Sequence, residues 1–231
     1  TNSQQVPFMQ TVSNNTLKQT LYYRDIPVLI YNIQYPAFNS TCSEKAAEAV
    51  SENYAALARS KEEYCKAVLY PQAVESARYI QSNYPPFHSY EFDMTYNITL
   101  NMGCLTSLYT EQYSYMGGAH GSTVRQSDTW DFTTGNKVQL GDFYPHDRLF
   151  REKIQRWIEQ QVSIRLKTEP ATYFDDYAKL IQNTFNPDSF YLFPGGVVIY
   201  FQQYDIAPYA TGLPEFVLPV PPGFEPLFTR K

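Results

Sequence analysis

The run Tyr113-Ser114-Tyr115-Met116-Gly117-Gly118-Ala119-His120-Gly121 sets an imidazole among three glycines and two tyrosyl hydroxyls, and His120 is one of only 3 histidines in the chain. Imidazole titrates near neutrality, so a carboxylate such as Glu111 or Asp128 could make His120 a general base. Glycine admits positive φ and close approach, so the same loop can instead lie against a ligand. The spacing is not G-x-G-x-x-G, and no Lys-Ser/Thr follows as in a P-loop, which removes phosphate cradling from the options. A lone His beside glycines is more often a hydrogen-bonded loop residue than a base. We therefore assign no catalytic residue and read Tyr115, Gly117, Gly118 and His120 as candidate ligand-binding positions.

A second candidate is Tyr173-Phe174-Asp175-Asp176, which resembles the paired aspartates of polysaccharide deacetylases, one a metal ligand and its neighbour the base. That chemistry needs two further histidines one helical turn apart. His88, His120 and His146 stand 32 and 26 residues apart, so no such pair exists. The aspartates are expected instead in the first turn of a helix, complementing its dipole. There is no G-x-S-x-G elbow, no H-E-x-x-H and no Cys/His pair of recognisable spacing, so neither a metal site nor a cofactor is expected. A carboxylate pair for glycoside hydrolysis stays open, because separation in space is invisible in sequence. A third candidate is Gln202-Gln203-Tyr204-Asp205, polar residues after an apolar strand, with Pro208 and Gly212 stiffening and turning the exit. Gln203, Tyr204 and Asp205 either gather beside the His120 loop or stitch two lobes together.

The elements that must position these residues are read from periodicity. Thr20–Tyr23 and Val28–Ile33 are strands on either side of Arg24-Asp25-Ile26-Pro27. From Ser43, an N-cap, apolar residues recur at helical spacing through Val68, and Pro71 is expected to end or kink that helix before a shorter one over Gln72–Gln81. His88–Asn101 and Cys104–Met116 form a hairpin, and Ser122–Phe132 is a further strand. Leu149, Phe150, Ile154, Trp157, Ile158, Val162 and Leu166 form the strongest helical stripe, capped by Asp147 or by Pro145-His146, and a shorter helix is expected over Thr172–Thr184. Tyr191–Phe193 and Val197–Phe201 flank a tight turn at Pro194-Gly195-Gly196. Ala207–Pro219 is short and Pro-rich. Hairpins rather than helical crossovers predict an α+β fold with antiparallel sheets, a long N-terminal-lobe helix and two C-terminal-lobe helices.

Composition bounds the partners. The chain has 231 residues, 43% hydrophobic and 18% charged, which is the range of a folded globular protein. A net charge of −5 and the lack of a basic cluster remove the electrostatic footprint of nucleic-acid binding. No apolar run approaches the ~20 residues that span a bilayer, and a start without Met is compatible with a removed leader or anchor. The 21 tyrosines suit recognition surfaces and strands alike. Cys42, Cys65 and Cys104 show no C-x-x-C spacing. Cys42 and Cys65 at opposite ends of one helix cannot bond each other, so either one of them pairs with Cys104 or all stay free, and buried free thiols are expected.

Taken together, Tyr113–Gly121, Trp130-Asp131-Phe132-Thr133-Thr134-Gly135, Leu140-Gly141-Asp142-Phe143 and Phe190–Pro219 resemble the extracellular domain of RsiV and the non-catalytic region of PdaC. Within the last stretch, Phe201 to Gly212 followed by Pro214-Glu215-Phe216 carries most of the likeness. The resemblance implies a two-lobed fold outside the cytoplasmic membrane, mainly in Gram-positive bacteria: a flexible segment over 1–16, a PdaC-type strand-helix-hairpin lobe over 17–135, an RsiV-like lobe over 136–221 and a tail over 222–231. It implies a binding or sensing role toward lysozyme or peptidoglycan, whereas in PdaC the chemistry belongs to a separate deacetylase domain. The competing expectation is a wall-glycan hydrolase or deacetylase that uses His120 with nearby carboxylates.

Overall fold

The computed structural model of the chain describes residues 10–80 and 86–221. Two compact units emerge, the first from residues up to Asn97 with Thr110–Val124 and Phe132–Gly135, the second from Ile98–Tyr109, Arg125–Asp131 and the residues from Asn136 onward. The flexible segment expected over 1–16 lies outside the described residues as far as residue 9, and Gln10 to Thr16 are strand. The expected tail over 222–231 lies outside them entirely.

In the first unit β1 (Gln10–Tyr23) and β2 (Ile26–Ser40) form an antiparallel hairpin that turns at Arg24, whose φ is +46°. The hairpin outruns the two short runs legible in sequence. Ser13, Asn14 and Asn15 pair with Ala37, Pro36 and Tyr35, so backbone pairing overrides low strand propensity there. Ser43 caps α1 (Glu44–Tyr64) as expected, its hydroxyl accepting the Ala46 N–H at 3.1 Å. Ala46, Ala47, Val50, Tyr54 and Ala58 form the buried face of α1.

Pro71 neither ends nor breaks this run. A five-residue π turn, Cys65–Leu69, widens the backbone before α2 (Tyr70–Arg78), and Pro71 falls in the first turn of α2, directly after this wider turn. The crossover through α1 and α2 lets β3 (Tyr90–Met102) pair with β2 in parallel, Leu29 with Tyr90 through Ile33 with Met94, which departs from the antiparallel expectation. Val28, Tyr31, Ile33, Leu69, Phe92 and Met94 fill the core between sheet and helices.

The sheet continues through β4 (Leu105–Tyr115), β5 (Ser122–Asp131) and β6 (Asn136–Lys137) in the order β1-β2-β3-β4-β5-β6. β3, β4 and β5 each supply residues to both units.

The second unit packs α3 (Phe150–Thr168) and α4 (Tyr177–Thr184) with an antiparallel sheet of β7 (Phe190–Phe193), β8 (Gly196–Tyr200) and β9 (Glu215–Leu218). Ile154, Ile158 and Val162 of α3 meet Ile181, Leu192, Ile199 and Phe216 in its core. Three boundaries differ from the sequence reading. Leu149, not Asp147, holds the cap position of α3; Asp147 accepts the Leu149 N–H at 3.0 Å and pairs with Lys153 at 2.7 Å, fixing the entry to the helix instead. α4 begins at Tyr177 and not Thr172, because Thr172 and Phe174 spend backbone groups elsewhere: the Thr172 carbonyl accepts from Thr211 at 2.6 Å, and the Phe174 N–H donates to Ile206 at 3.1 Å. β9 lies in the Pro-rich stretch read as irregular. No helix among the described residues is long and apolar enough to cross a membrane.

The expectation of three free thiols is corrected. Cys42 and Cys104 are disulfide-bonded, and only Cys65 is free, buried at the start of the π turn in the core it shares with β2, with its thiol pushed up to about 12 by burial first and the Glu62 carboxylate second. A neutral, enclosed thiol is a poor nucleophile. Alkylation of the native, unreduced protein is therefore expected to label no cysteine rapidly, unfolding without reductant to expose one, and unfolding with reductant all 3. Mass spectrometry of the labelled chain reads the count, and two or more labels without reductant would contradict the assignment.

Candidate functional site

The Gly-His loop follows β4 in the first unit. Gly117 and Gly118 hold φ of +85° and +97°, a region that glycine enters at no steric cost. The Tyr115 hydroxyl donates to the Gly118 carbonyl at 3.0 Å and closes the bend on itself. His120 is exposed, and its Nδ1 lies 2.9 Å from the Gly121 carbonyl. A carbonyl only accepts, so in this contact Nδ1 is the donor. Gly121 is buried, and a Cβ there would overlap the Tyr113 ring. Asp128, considered above as an orienting acid for His120, is ion-paired with Lys137 at 3.0 Å in the second unit.

Gln203, Tyr204 and Asp205 belong to the second unit. The preceding residue anchors them: the Gln202 side-chain amide accepts the Arg125 N–H at 2.9 Å and donates to the Arg125 carbonyl at 2.6 Å, imitating one rung of a strand ladder. Asp205 closes the turn by accepting the Gln202 N–H at 3.0 Å, and burial raises its pKa while that bond lowers it. Tyr204 holds φ of +67° without being glycine, keeps about half its surface exposed (53%), and sets its ring 5.9 Å from that of Tyr209. Gln203 is half-buried beside it.

Sequence reasoning missed two features of this unit. Arg125 is buried on β5 with its guanidinium 4.3 Å from the Tyr109 ring and 5.3 Å from the Tyr200 ring, and Nη1 donates to Glu215 Oε1 on β9 at 2.6 Å. The Tyr191 hydroxyl donates to the other Glu215 oxygen at 3.2 Å, and burial followed by the nearby carboxylate raises its pKa. The second feature is a cavity of about 540 Å³ at the C-terminal end of α3, lined by Arg165, Thr168, Glu169, Thr172 and Tyr173 from one stretch and by Pro208, Ala210 and Thr211 from another. The two bonds that shorten α4, from Phe174 and to Thr172, bring these stretches together. A sequence signal for it existed: Arg165 follows Ile158 by seven residues and Val162 by three, so a cation occupies the buried stripe of α3. Asp175 and Asp176 are exposed just before the first turn of α4, and the Asp176 side chain makes no cap bond. No group of three or more His, Cys, Asp or Glu among the described residues is placed to hold a metal ion.

Two family models match the chain, one described as deacetylase PdaC over residues 24–123 and one as a protein of unknown function, DUF3298, over residues 142–220. Comparison with curated proteins gives no match. Among solved structures, a DUF3298 family member from Bacteroides fragilis is similar with a TM-score of 0.64 at 19% identity, over 91% of this chain and 90% of that one. A DUF3298 family protein from Pseudomonas aeruginosa is similar with a TM-score of 0.50 at 16% identity, over 92% of this chain and 90% of that one. At these identities the likeness is one of fold.

Proposed function

This chain joins a PdaC-type region to a DUF3298 region, and from that premise we propose that it is a non-catalytic extracytoplasmic module that binds or senses a cell-wall component or a wall-attacking protein such as lysozyme. The observation that carries the proposal is Tyr204. A left-handed backbone at a non-glycine residue costs about 1–2 kcal/mol, and here it holds an aromatic ring out to solvent against Tyr209. Strain of that kind persists where the surrounding structure imposes it, and exposed tyrosines are strong anchors in recognition. Gln203 and Asp205 flank this ring. Tyr115, Gly117, Gly118 and His120 form the second recognition element, a pinned loop that presents an imidazole. The disulfide-bonded Cys42 and Cys104 support the compartment, since such bonds persist in oxidising surroundings and are rare in the cytosol.

Calorimetric titration of the purified protein with lysozyme and with solubilised peptidoglycan fragments tests the proposal. Saturable binding to one of them is expected, weakened about tenfold or more by Tyr204→Ala or His120→Ala, as for an interface anchor, with the thermal midpoint of His120→Ala unchanged. No binding to either ligand would sink the proposal. Turnover of an acetylated chitooligosaccharide that vanishes in His120→Ala would replace it with the enzyme reading.

A further inference from the structure

We propose that the cavity at the C-terminal end of α3 binds a small zwitterion, the terminus of a short peptide, with its carboxylate on Arg165 and its ammonium on Glu169. Arg165 is half-buried and fixed on three sides: Nη1 donates to the Tyr173 hydroxyl at 2.9 Å, Nη2 to the Glu215 carbonyl at 2.7 Å, and the guanidinium lies 4.3 Å from the Phe216 ring. Those bonds occupy two of five N–H donors. All its partners are neutral, and no carboxylate among the described residues pairs with it, so its charge is held in place without being neutralised. A rigid, partly desolvated fork with spare donors is suited to a carboxylate.

Glu169 supplies the opposite pole. It closes α3, where the helix dipole is already negative, and its carboxylate has no cationic partner among the described residues. An acid in that position attracts a cation. Arg165 and Glu169 share the same cavity four residues apart and still form no ion pair with each other. A ligand that carries both charges satisfies them together, whereas a simple anion leaves Glu169 unmatched and a simple cation leaves Arg165 so. The hydroxyls on the rim are already spent as donors, Thr168 to the Arg165 carbonyl, Thr172 to that of Glu169 and Thr211 to that of Thr172. They remain acceptors, suited to ammonium or amide N–H groups. About 540 Å³ equals roughly eighteen waters at ~30 Å³ each, room for a dipeptide or tripeptide.

The inference deepens the binding proposal and rests on it only for the source of the peptide, the short peptides of the wall. Its ligand chemistry is tested separately. Alanyl-alanine, its N-acetylated form (anion only) and its C-terminal amide (cation only) are titrated into the full chain by NMR or calorimetry. The free dipeptide is expected to bind at least tenfold more tightly than either blocked form, with shifts at Thr172 and Thr211. Glu169→Gln, an exposed site that leaves the fold intact, is expected to abolish the preference for the free over the acetylated dipeptide. Arg165→Gln is expected to abolish binding of both. Should Arg165→Gln fail to fold by its thermal melt, Glu169→Gln decides. Equal affinity for the three forms, no binding of any, or an unchanged preference in Glu169→Gln would overturn the inference. Binding of peptidoglycan or lysozyme without dipeptide binding would remove this site and leave the broader proposal standing, and dipeptide binding alone would do the reverse.

Discussion

Arg125→Ala is expected to destabilise the second unit by about 3 kcal/mol, near the low end of what breaking a buried ion pair costs. The Arg125 side chain is only 9% exposed, while that of Glu215 is 41% exposed, so water recovers part of the lost pairing on the carboxylate side and the full penalty of an orphaned buried charge does not apply. The remainder comes from the two ring faces. Tyr109 and Tyr200 both lie within cation–π distance of the guanidinium, and its removal leaves a void between them. A shift of this size corresponds to about 6–12 °C in the melting temperature of a chain this long. Arg125→Lys separates the two causes. An ammonium can still reach Glu215 but cannot lie flat between the rings, so less than half of the loss should return. Pairing Arg125→Met with Glu215→Gln removes both charges while keeping the stem, and should cost less than Arg125→Met alone. A loss under about 0.5 kcal/mol for Arg125→Ala, the range of ordinary surface substitutions, would show that this cluster is not a keystone of the unit.

What could be read from sequence was what short-range signals encode. α1 announced itself through its apolar spacing and Ser43, the β3–β4 and β7–β8 hairpins through their turn glycines, and α3 through the stripe from Ile154 to Val162. The parallel pairing of β2 with β3 was hidden because it depends on a crossover of more than forty residues and on no local pattern. β9 was hidden because Glu215–Leu218 is only 4 residues long, and its strand character comes from pairing with β8. The oxidised cysteines were hidden for a similar reason, since proximity across distant segments decides whether two thiols meet. For the candidate sites the split is the same. The Gly117-Gly118 bend could be anticipated because glycine at positive φ is a one-residue property. Tyr204 at φ +67° and the pocket of Arg165 and Glu169 could not, because neighbours far along the chain impose both. Arg165 on an apolar stripe was the exception, a local anomaly that pointed to a distant partner.

Gly196→Ala is expected to match or exceed the effect at Arg125, on the order of 3–4 kcal/mol from backbone strain and overpacking together. Its φ of +143° belongs to a region that residues with a Cβ rarely enter. Strain alone would cost less, as at Gly117, where φ is also positive but a Cβ would meet nothing within 4 Å, and Gly117→Ala should cost only about 1 kcal/mol. At Gly196 a Cβ would also overlap the carbonyl oxygen of Leu218, and this obstacle is backbone, with no rotamer to escape into. Relief requires β8 and β9 to move apart at the end where Val197 pairs with Leu218. Gly195→Ala provides the control, because the atoms nearest its Cβ would be those of the Phe193 ring, a side chain that can swing aside at modest cost. Loosening β9 also moves Glu215, which receives Arg125 through its side chain and Arg165 through its carbonyl. Gly196→Ala should therefore lower the melting temperature and, in the same sample, weaken dipeptide binding in the Arg165 cavity, while Gly195→Ala does neither to a comparable degree. Equal melting temperatures for the two alanine variants would show that β8 and β9 yield at this point and that the close approach is not a constraint on the fold.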